Sequence, residues 1–229
     1  MIQKTFRWKE TTQQLHFIAN GSFFIIVLCV CFAAVVTILE SSFHMKIVIQ
    51  NDSMVPGFAA LLILRELGAV VTALLLTSRV GAGYAAEVGS MKVTEQIDAL
   101  KMLGIDPIHY LLIPRLVASI VGTIILVIIA NMVCIACSAL VSQIYLGFTF
   151  SMFISAMRRF VHFQDLIFSM IKAGFFGAVI PLVSCFFGFR CRSGAEGVGQ
   201  ATTQSVVVSS IAIIVIDFVL SYTFSYFLN

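Results

Sequence analysis

The sequence predicts an all-α integral membrane protein with an amino-terminal interfacial helix and five transmembrane helices. Its composition, its long apolar runs and its uneven distribution of basic residues support this fold class. Of the 229 residues, 60% are hydrophobic and 11% are charged, and the mean hydropathy is +1.04. Soluble domains usually carry about 25% charged residues, and disordered chains combine low hydrophobicity with high charge, so both classes are excluded. At roughly 20 apolar residues per crossing, one polytopic domain over residues 1–229 has material for about five or six spans.

The apolar runs define the elements in order. Residues 1–20 are polar with interspersed aromatic and aliphatic side chains, which favours an interfacial helix with Trp8 in the headgroup layer. This segment lacks the short apolar core and small-residue cleavage site of a secretory signal. The five predicted spans cover about residues 21–40, 56–80, 111–145, 166–189 and 205–227. The third run is long enough to tilt or to continue beyond the bilayer.

The basic residues predict the orientation, because cytoplasmic loops are enriched in Lys and Arg. Five crossings place the two termini on opposite sides of the membrane. The loops on one side contain most of the basic residues: Lys4, Arg7, Lys9, Arg79, Lys92, Lys101, Arg115, Arg190 and Arg192. The loops on the other side contain Lys46, Arg158 and Arg159. We therefore expect a cytoplasmic amino terminus and a carboxyl terminus on the outer, periplasmic face.

The connection between the second and third spans contains a short amphipathic helix, predicted over about residues 94–104. Thr94 is placed to cap its amino end, and Glu95 and Gln96 complement the positive end of the helix dipole. One apolar face is formed by Ile97, Leu100 and Leu103, which recur every three residues.

Turn residues mark the end of this helix and the start of the next one. Gly104 is expected to end it, and Asp106 followed by Pro107 is typical of an N-cap and first helical position. A two-faced helix held at the membrane surface suits docking into a groove on another protein. The alternative is a solvated connector that lies on the headgroups.

Two long motifs carry a resemblance to one known family. The first motif is AAEVGSMKVTEQIDALKMLGIDPIHYLLIPR, and the segment that leads into it is LRELGAVVTALLLTSRVGAG. The second motif, nearer the carboxyl end, is GFRCRSGAEGVGQATTQSVVV. These runs resemble the signatures of the MlaE (YrbE) family, the ABC-transporter permeases of MCE-associated lipid transport systems. The likeness covers about Pro56 to the end, whereas the first fifty residues match in pattern only.

The resemblance implies a function and a set of partners. The chain would be a permease subunit in the bacterial inner membrane that moves phospholipid. Two copies would flank a lipid-sized apolar cavity, above a cytoplasmic ABC ATPase dimer and beside a periplasmic MCE-domain protein, with no nucleic-acid partner. The short helix would be the coupling helix that docks on the ATPase. Its coupling residues would be Glu95, Gln96, Asp98, Leu100 and Gly104.

We expect ATP hydrolysis to be carried out by a partner protein and not by this chain. It contains no GxxxxGK[ST] phosphate loop, so ATP and Mg would be bound and used by the partner ATPase, and we assign no catalytic residue. Cys134 and Cys137 have CxxC spacing but no second ligand pair, and the histidines lie in different loops, so no metal or redox site is predicted. One alternative is an intramembrane lipid-modifying hydrolase or protease, which needs a Ser–His pair, facing aspartates or a metal motif. A non-transporting scaffold is another.

Charged residues inside the predicted spans are further candidates, because an ionised group at membrane depth costs at least about 2.5–3.5 kcal/mol. Arg65 and Glu66 are adjacent and point roughly 100° apart on a helix, so they cannot neutralise one another along one face. They either line the lipid route or form structural pairs. Lys172 and Asp217 lie at similar distances from the turn between the last two spans, so we expect them to form an interhelical ion pair, with a role in the lipid route as the alternative.

Two further groups of residues lie near the inner ends of the spans. Arg79 and Glu87 stand beside small residues, which suits a contact with another helix or a second copy. The Gly-rich run over residues 193–199 includes Glu196 and follows Arg190 and Arg192. Without a preceding strand or a Lys it is a weak nucleotide site. We interpret it as a tight turn whose arginines hold lipid headgroups or an ATPase surface.

Overall fold

The structure is a computed structural model that describes residues 7–48, 54–192 and 194–228. Helices account for nearly all of this part of the chain, and it contains no β-strand. The α-helices are α1 (Trp8–Val48), α2 (Val55–Leu62), α3 (Gly68–Leu76), α4 (Ala82–Val93), α5 (Gln96–Met102), α6 (Pro107–Tyr145), α7 (Phe150–Phe160), α8 (Phe163–Phe189) and α9 (Ala195–Leu228). Two π-helical segments, Ile63–Leu67 and Thr77–Gly81, join α2, α3 and α4 into one continuous helical stretch.

Five helical stretches are long and apolar enough to cross a membrane. They are Trp8–Met45, Val55–Val93, Pro107–Tyr145, Phe163–Phe189 and Ala195–Tyr226. The number and order of the predicted spans are thus confirmed in the described residues, and the chain is a multi-pass membrane protein. All five stretches extend beyond the predicted apolar runs at one or both ends, because a helix satisfies its own backbone hydrogen bonds whether its side chains are apolar or polar.

Helix α1 shows no break where the interfacial helix was expected to meet the first span at residue 20. It is a single helix of 41 residues, and its buried side chains recur every four positions at Ile18, Ser22, Ile26, Val30, Ala34 and Ile38. Successive positions lie about 40° apart around the axis, so the buried stripe winds slowly around α1. Residues 1–6, including Lys4, lie outside the described residues, so the interfacial segment stays a prediction.

Helix α7 was not anticipated, because its two arginines were assigned to a loop. It is an 11-residue amphipathic helix with Phe153 and Ala156 buried and with Arg158 and Arg159 in its last turn. It packs against α2 at Gly57, where an added Cβ would lie 2.7 Å from the carbonyl oxygen of Ala156. A glycine is therefore required for this close approach of two helices.

The packing divides into two compact units. The first comprises the described parts of Met1–Ser22, Ala73–Ile124 and Gly174–Asn229. Its contacts include a cluster of Val88, Ile97 and Cys185, and a close approach in which a Cβ on Gly177 would lie 2.8 Å from the Ser119 carbonyl oxygen.

The second unit comprises Phe23–Thr72 and Ile125–Ala173, again within the described residues. Its contacts include a cluster of Ile38, Val55 and Ala59, against which Val141 and Phe148 pack. Each unit also contains charged side chains that lie inside the helical spans, and these are described next.

Candidate functional site

The connection between α4 and α6 is built around a sharp reversal at Glu95. Helix α4 ends at Val93, and the Thr94 hydroxyl donates back to the Ser90 carbonyl oxygen over 2.9 Å. The N-cap position of α5 belongs to Glu95, whose φ of 58° is left-handed and whose side chain makes no capping bond. The expectation that Thr94 caps the next helix is therefore wrong. Its hydroxyl is used by the preceding helix because Ser90 lies one turn behind it.

Helix α5 is anchored by a single apolar side chain. Ile97 is buried in the cluster with Val88 of α4 and Cys185 of α8, whereas Leu100 is only half-buried. Met102 is 89% exposed and Leu103 is 70% exposed, so the predicted apolar face does not pack along its whole length. The far end of this seven-residue helix therefore presents apolar side chains outward.

The predicted end of α5 and start of α6 are confirmed. Gly104 has a φ of +72°, which a glycine adopts without the steric cost of a side chain. Pro107 is the first residue of α6, and Asp106 Oδ1 accepts a hydrogen bond from the Ile108 backbone N–H over 3.0 Å. Asp106 thus fills the capping role that the sequence predicts.

The acidic residues of α5 are not equally free to meet a partner. Glu95 and Gln96 are exposed, but Asp98 accepts hydrogen bonds from Lys101 Nζ and Lys92 Nζ, each over 2.9 Å. The bond from Lys101, followed by the bond from Lys92, lowers the pKa of Asp98 below its usual value. Asp98 therefore ties the end of α4 to α5 as well as carrying charge at the surface.

Arg115 is a buried charge that the sequence reasoning placed in a loop. It lies in α6 with a side chain only 3% exposed, and its Nη2 is 3.0 Å from Glu87 Oε1 of α4. Its guanidinium lies over the Tyr84 ring, 5.4 Å from the centroid, and beside the Cys185 sulfur of α8. Arg115 thus joins α4, α6 and α8 next to the cluster that anchors α5. Its spacing in the sequence could have indicated this position. Arg115 follows Leu112 by three residues, so the two side chains are neighbours on α6, and Leu112 also packs on that cluster.

Arg65 pairs with an acidic residue of α8 inside the second unit. Its Nε donates to Asp165 Oδ1 over 2.7 Å, and the Asp165 side chain is 1% exposed. The other oxygen, Oδ2, accepts the His162 backbone N–H over 2.8 Å, immediately before α8 begins. Asp165 therefore neutralises Arg65 and caps α8 at once, a combination that the sequence reasoning missed.

Glu66 pairs with Lys172, a partner that the sequence reasoning did not anticipate. Lys172 Nζ donates to Glu66 Oε2 over 3.0 Å and to the Arg65 carbonyl oxygen over 2.9 Å, and its side chain is fully buried. The expected pairing of Lys172 with Asp217 compared depth along the last two spans only and left the second span out, and it stays a prediction. Asp217 lies half-buried on α9.

Arg79 lies in the π-helical segment Thr77–Gly81 and reaches α1. Its Nη1 donates to the Ser22 hydroxyl over 2.8 Å, and its guanidinium lies 5.8 Å from the centroid of the Phe17 ring. The guanidinium occupies the space that a Cβ on Gly21 would need. Arg79 and Glu87 were considered together in the sequence, but in the structure they have different partners.

The connection between α8 and α9 forms a small polar pocket of about 290 Å³. Its lining residues include the two predicted arginines and two glutamines: Arg190, Arg192, Gln200 and Gln204. Glu196 lines the adjoining surface with Gln200 and Gln204. Gly194 has a φ of +96°, which makes the tight turn, whereas Ser193 of the predicted Gly-rich run lies outside the described residues.

The CxxC residues have separate partners. Cys137 Sγ lies 3.0 Å from Cys31 Sγ, while Cys134 Sγ donates to the Val30 carbonyl oxygen. Within residues 7–48, 54–192 and 194–228, no group of three or more His, Cys, Asp or Glu is arranged to hold a metal ion. No metal site is assembled there from the residues that the sequence offered.

Five membrane spans with charged residues inside them define a polytopic membrane protein. The family model described as Permease MlaE matches residues 11–223, and the chain belongs to this permease family. The predicted family is thereby confirmed.

Curated relatives agree with the family. The chain is 35% identical over 98% of its length to the Arabidopsis thaliana protein named TRIGALACTOSYLDIACYLGLYCEROL 1, chloroplastic, of which it spans 64%. It is 35% identical over 93% of its length to a probable ABC transporter permease protein of Rickettsia felis, covering 82% of that protein. The chain is 32% identical over 97% of its length to a probable ABC transporter permease protein of Synechocystis sp., and the match covers 84% of that protein.

Proposed function

We propose that this chain is the membrane permease subunit of an ABC-type phospholipid transport system. It would move lipid between the inner membrane and a periplasmic MCE-domain partner, with ATP and Mg handled by a separate ATPase dimer. The observation that carries this proposal is the family match over residues 11–223, because it spans all five membrane stretches and both motifs. The alternative of an intramembrane hydrolase or protease has no assembled catalytic group in its favour among the side chains described above.

The exposed end of α5 supports docking on an ATPase. Met102 and Leu103 stand outward beside Gly104, with Glu95, Gln96 and Leu100 on the same short connection. An amphipathic helix with apolar residues at its free end fits a groove on a partner protein. Here the partner would be the cytoplasmic ATPase, and this connection and the amino terminus would then lie in the cytoplasm and the carboxyl end of α9 on the periplasmic side.

Contacts that would transmit a displacement of α5 to the membrane spans support the same function. Ile97 packs against Val88 and Cys185, so a push on α5 would act on α4 and α8 together. Arg115 joins these helices to α6 through Glu87 and the Cys185 sulfur. Closely packed interiors transmit displacement because they have few voids to absorb it. We propose that ATPase closure is transmitted to the spans by this route.

A lipid cargo and a second copy of the chain fit the apolar surfaces. Only 11% of the most apolar stretch of α9 is buried, which leaves side chains such as Ile211, Ile214 and Phe218 exposed. A second copy could cover part of this face, and the remainder could border a lipid-sized cavity. The Arabidopsis relative bears the name of a galactolipid, which agrees with a diacylglycerol-based cargo.

The remaining charged sites have proposed roles in this assembly. The half-exposed edges of Arg65 and Glu66, the buried Lys172 and the half-buried Asp217 would border the lipid route. The pocket with Arg190 and Arg192, together with Glu196, would meet lipid headgroups or the ATPase surface.

The experiment that tests the proposed function is co-purification of an ATPase with a charged tip variant. Replacing Met102 and Leu103 together by Asp should abolish association, because the groove on the partner would have to bury two carboxylates. Met152→Asp is the matched control, since Met152 is 53% exposed on α7 and lies outside the connection. Equal recovery of the ATPase with both variants would contradict docking through α5.

A further inference from the structure

The arginine of the second π-helical segment differs from the other arginines that are buried or half-buried. Arg7 pairs with Glu10, Arg65 pairs with Asp165 and Arg115 pairs with Glu87. Arg79 is half-buried, and in the described part of the chain its guanidinium has no carboxylate within ion-pair distance. Its one protein acceptor there is the Ser22 hydroxyl.

The shape of the helices holds this guanidinium in place. Gly21 has no side chain, and a Cβ at this position would overlap the guanidinium of Arg79. Phe17, one turn earlier on α1, presents its ring to the same cation. The guanidinium is thus fixed against α1 by a hydroxyl, a glycine and an aromatic ring, while most of its five N–H donors have no acceptor among the described residues.

The position of the guanidinium along α1 selects the kind of anion. Before Gly21 the residues of α1 are largely polar, and from Gly21 onward they form the long apolar run of the first span. Ser22, the acceptor for Arg79, is therefore at the level where the hydrocarbon region begins. An intramembrane cation requires an anionic or polar partner, and the anions concentrated at this level of a bilayer are lipid phosphates.

We infer that Arg79, held by Ser22, Gly21 and Phe17, is a binding site for the phosphate group of a membrane phospholipid. The guanidinium suits phosphate because its planar fork can donate two parallel hydrogen bonds to two phosphate oxygens. The inference deepens the proposed lipid transport by naming the headgroup chemistry that the chain recognises, and it rests on that proposed function for its role in a transport cycle. The binding itself requires neither ATP nor a partner protein.

The test measures lipid retained by the full-length purified protein after exchange into detergent containing limiting phosphatidylglycerol or diacylglycerol with the same acyl chains. Arg79→Gln is expected to retain several-fold less phosphatidylglycerol than the wild type, and Arg79→Lys an intermediate amount. Diacylglycerol retention is expected to stay unchanged. Arg159→Gln is the matched control, because it removes an exposed arginine from α7.

A second variant moves the guanidinium without removing its charge. Gly21→Ala places a methyl group in the space that the guanidinium occupies, so it is also expected to lower phosphatidylglycerol retention several-fold. Soluble glycerol phosphate at the same concentration is expected not to compete, since the site lies at the start of the apolar run of α1. Competition by glycerol phosphate would overturn a lipid as the source of the phosphate.

Two other results would overturn the inference. One is retention of phosphatidylglycerol by Arg79→Gln and Gly21→Ala at the level of Arg159→Gln. The other is an equal loss of phosphatidylglycerol and diacylglycerol, because the guanidinium would then not be binding the phosphate group selectively. A wild type that shows no ATP-driven lipid transfer would instead contradict the proposed function, and it would leave the retention result unaffected.

Discussion

The two π-helical segments of the second span carry charge in the same way but use it differently. In Ile63–Leu67, Arg65 and Glu66 both have ion-pair partners on α8. In Thr77–Gly81, Arg79 has a hydroxyl and an aromatic ring. A π-turn adds one residue to a helical turn and redirects the side chains that follow, and such turns are frequent at functional sites. The first segment therefore joins two helices, whereas the second leaves a cation available to a ligand.

The geometry of α8 explains how adjacent residues can both be neutralised by one helix. Asp165 and Lys172 are seven residues apart, which places them on one face of α8, two turns and about 10 Å from each other. Arg65 reaches the earlier residue and Glu66 the later one. The expectation that Arg65 and Glu66 cannot neutralise each other agrees with this arrangement, because each has a separate partner.

The largest expected effect comes from removing the charge of Glu66. In Glu66→Gln the ammonium of Lys172 loses the ion pair with the Glu66 carboxylate while its side chain stays fully buried, so we expect a loss of about 3–5 kcal/mol in the free energy of unfolding. The thermal unfolding midpoint in mild detergent measures it. Glu40→Gln is the control, because Glu40 is exposed beside His44. An unfolding midpoint for Glu66→Gln equal to that of Glu40→Gln would show that the pair does not stabilise the fold.

A double variant distinguishes the cost of leaving Lys172 without Glu66 from a requirement for charged residues at these two positions. Replacing Glu66 and Lys172 together by Met should recover much of the stability lost in Glu66→Gln, because no unpaired buried charge remains. A double variant as unstable as Glu66→Gln would contradict the buried ammonium, left without Glu66, as the cause of the loss.

Asp165→Asn should have the next largest effect on stability. The amide oxygen can still accept the His162 backbone N–H, but the charge-assisted bond from Arg65 Nε is weakened. Because Arg65 is 34% exposed, part of its charge can be solvated, and we expect a loss of about 2 kcal/mol. The same thermal unfolding assay measures it. A loss as large as that of Glu66→Gln would mean that the capping bond is lost as well.

Arg79→Gln should change stability far less than either of these substitutions. The only protein hydrogen bond at stake in the described residues is the one to Ser22, which is worth about 1 kcal/mol. We therefore expect a small shift in unfolding midpoint in lipid-free detergent, and a larger difference from the wild type when phosphatidylglycerol is added. A large destabilisation without lipid would make Arg79 a structural residue like Arg65.

The smallest effect is expected at Asp98, whose ion pairs are exposed. The Lys101 and Lys92 bonds lower its folded-state pKa, so its contribution is present above the usual unfolded pKa and is lost as pH falls through the lowered folded value. Hydrogen exchange of the α5 amides should show slightly better protection in the wild type than in Asp98→Asn at neutral pH. This difference should disappear in acid. A difference that persists at low pH would rule out the ionised carboxylate as its cause.

Local sequence patterns predicted the spans and turns of this molecule well, whereas the pairing of charges that are distant in sequence was not predicted. The number and order of spans, the turn at Gly104 and the cap at Asp106 follow from apolar runs and residue-specific backbone preferences, which act over a few positions. The partners of Arg65 and Lys172 are about one hundred residues away in sequence. No single-sequence pattern specifies which of several buried charges will meet.

Other misses have their own physical reasons. The π-helical segments leave no periodic signal, because each adds a single residue inside an apolar run. Helix α7 was hidden because its arginines follow an apolar stretch, although its period is that of a helix with one buried face. Arg115 was counted as a loop charge because it lies just before the apolar part of α6, where burial depends on Glu87 and Tyr84.

The central claim is that this permease moves phospholipid when an ATPase acts on α5. Its most direct test is the transfer of labelled phospholipid between liposomes holding the reconstituted permease–ATPase complex and its MCE-domain partner, with and without ATP. We expect ATP-dependent transfer by the wild type and by Met152→Asp, and none by the variant with Asp at positions 102 and 103. Transfer that is independent of ATP, or that is unaffected by charging the α5 tip, would contradict it.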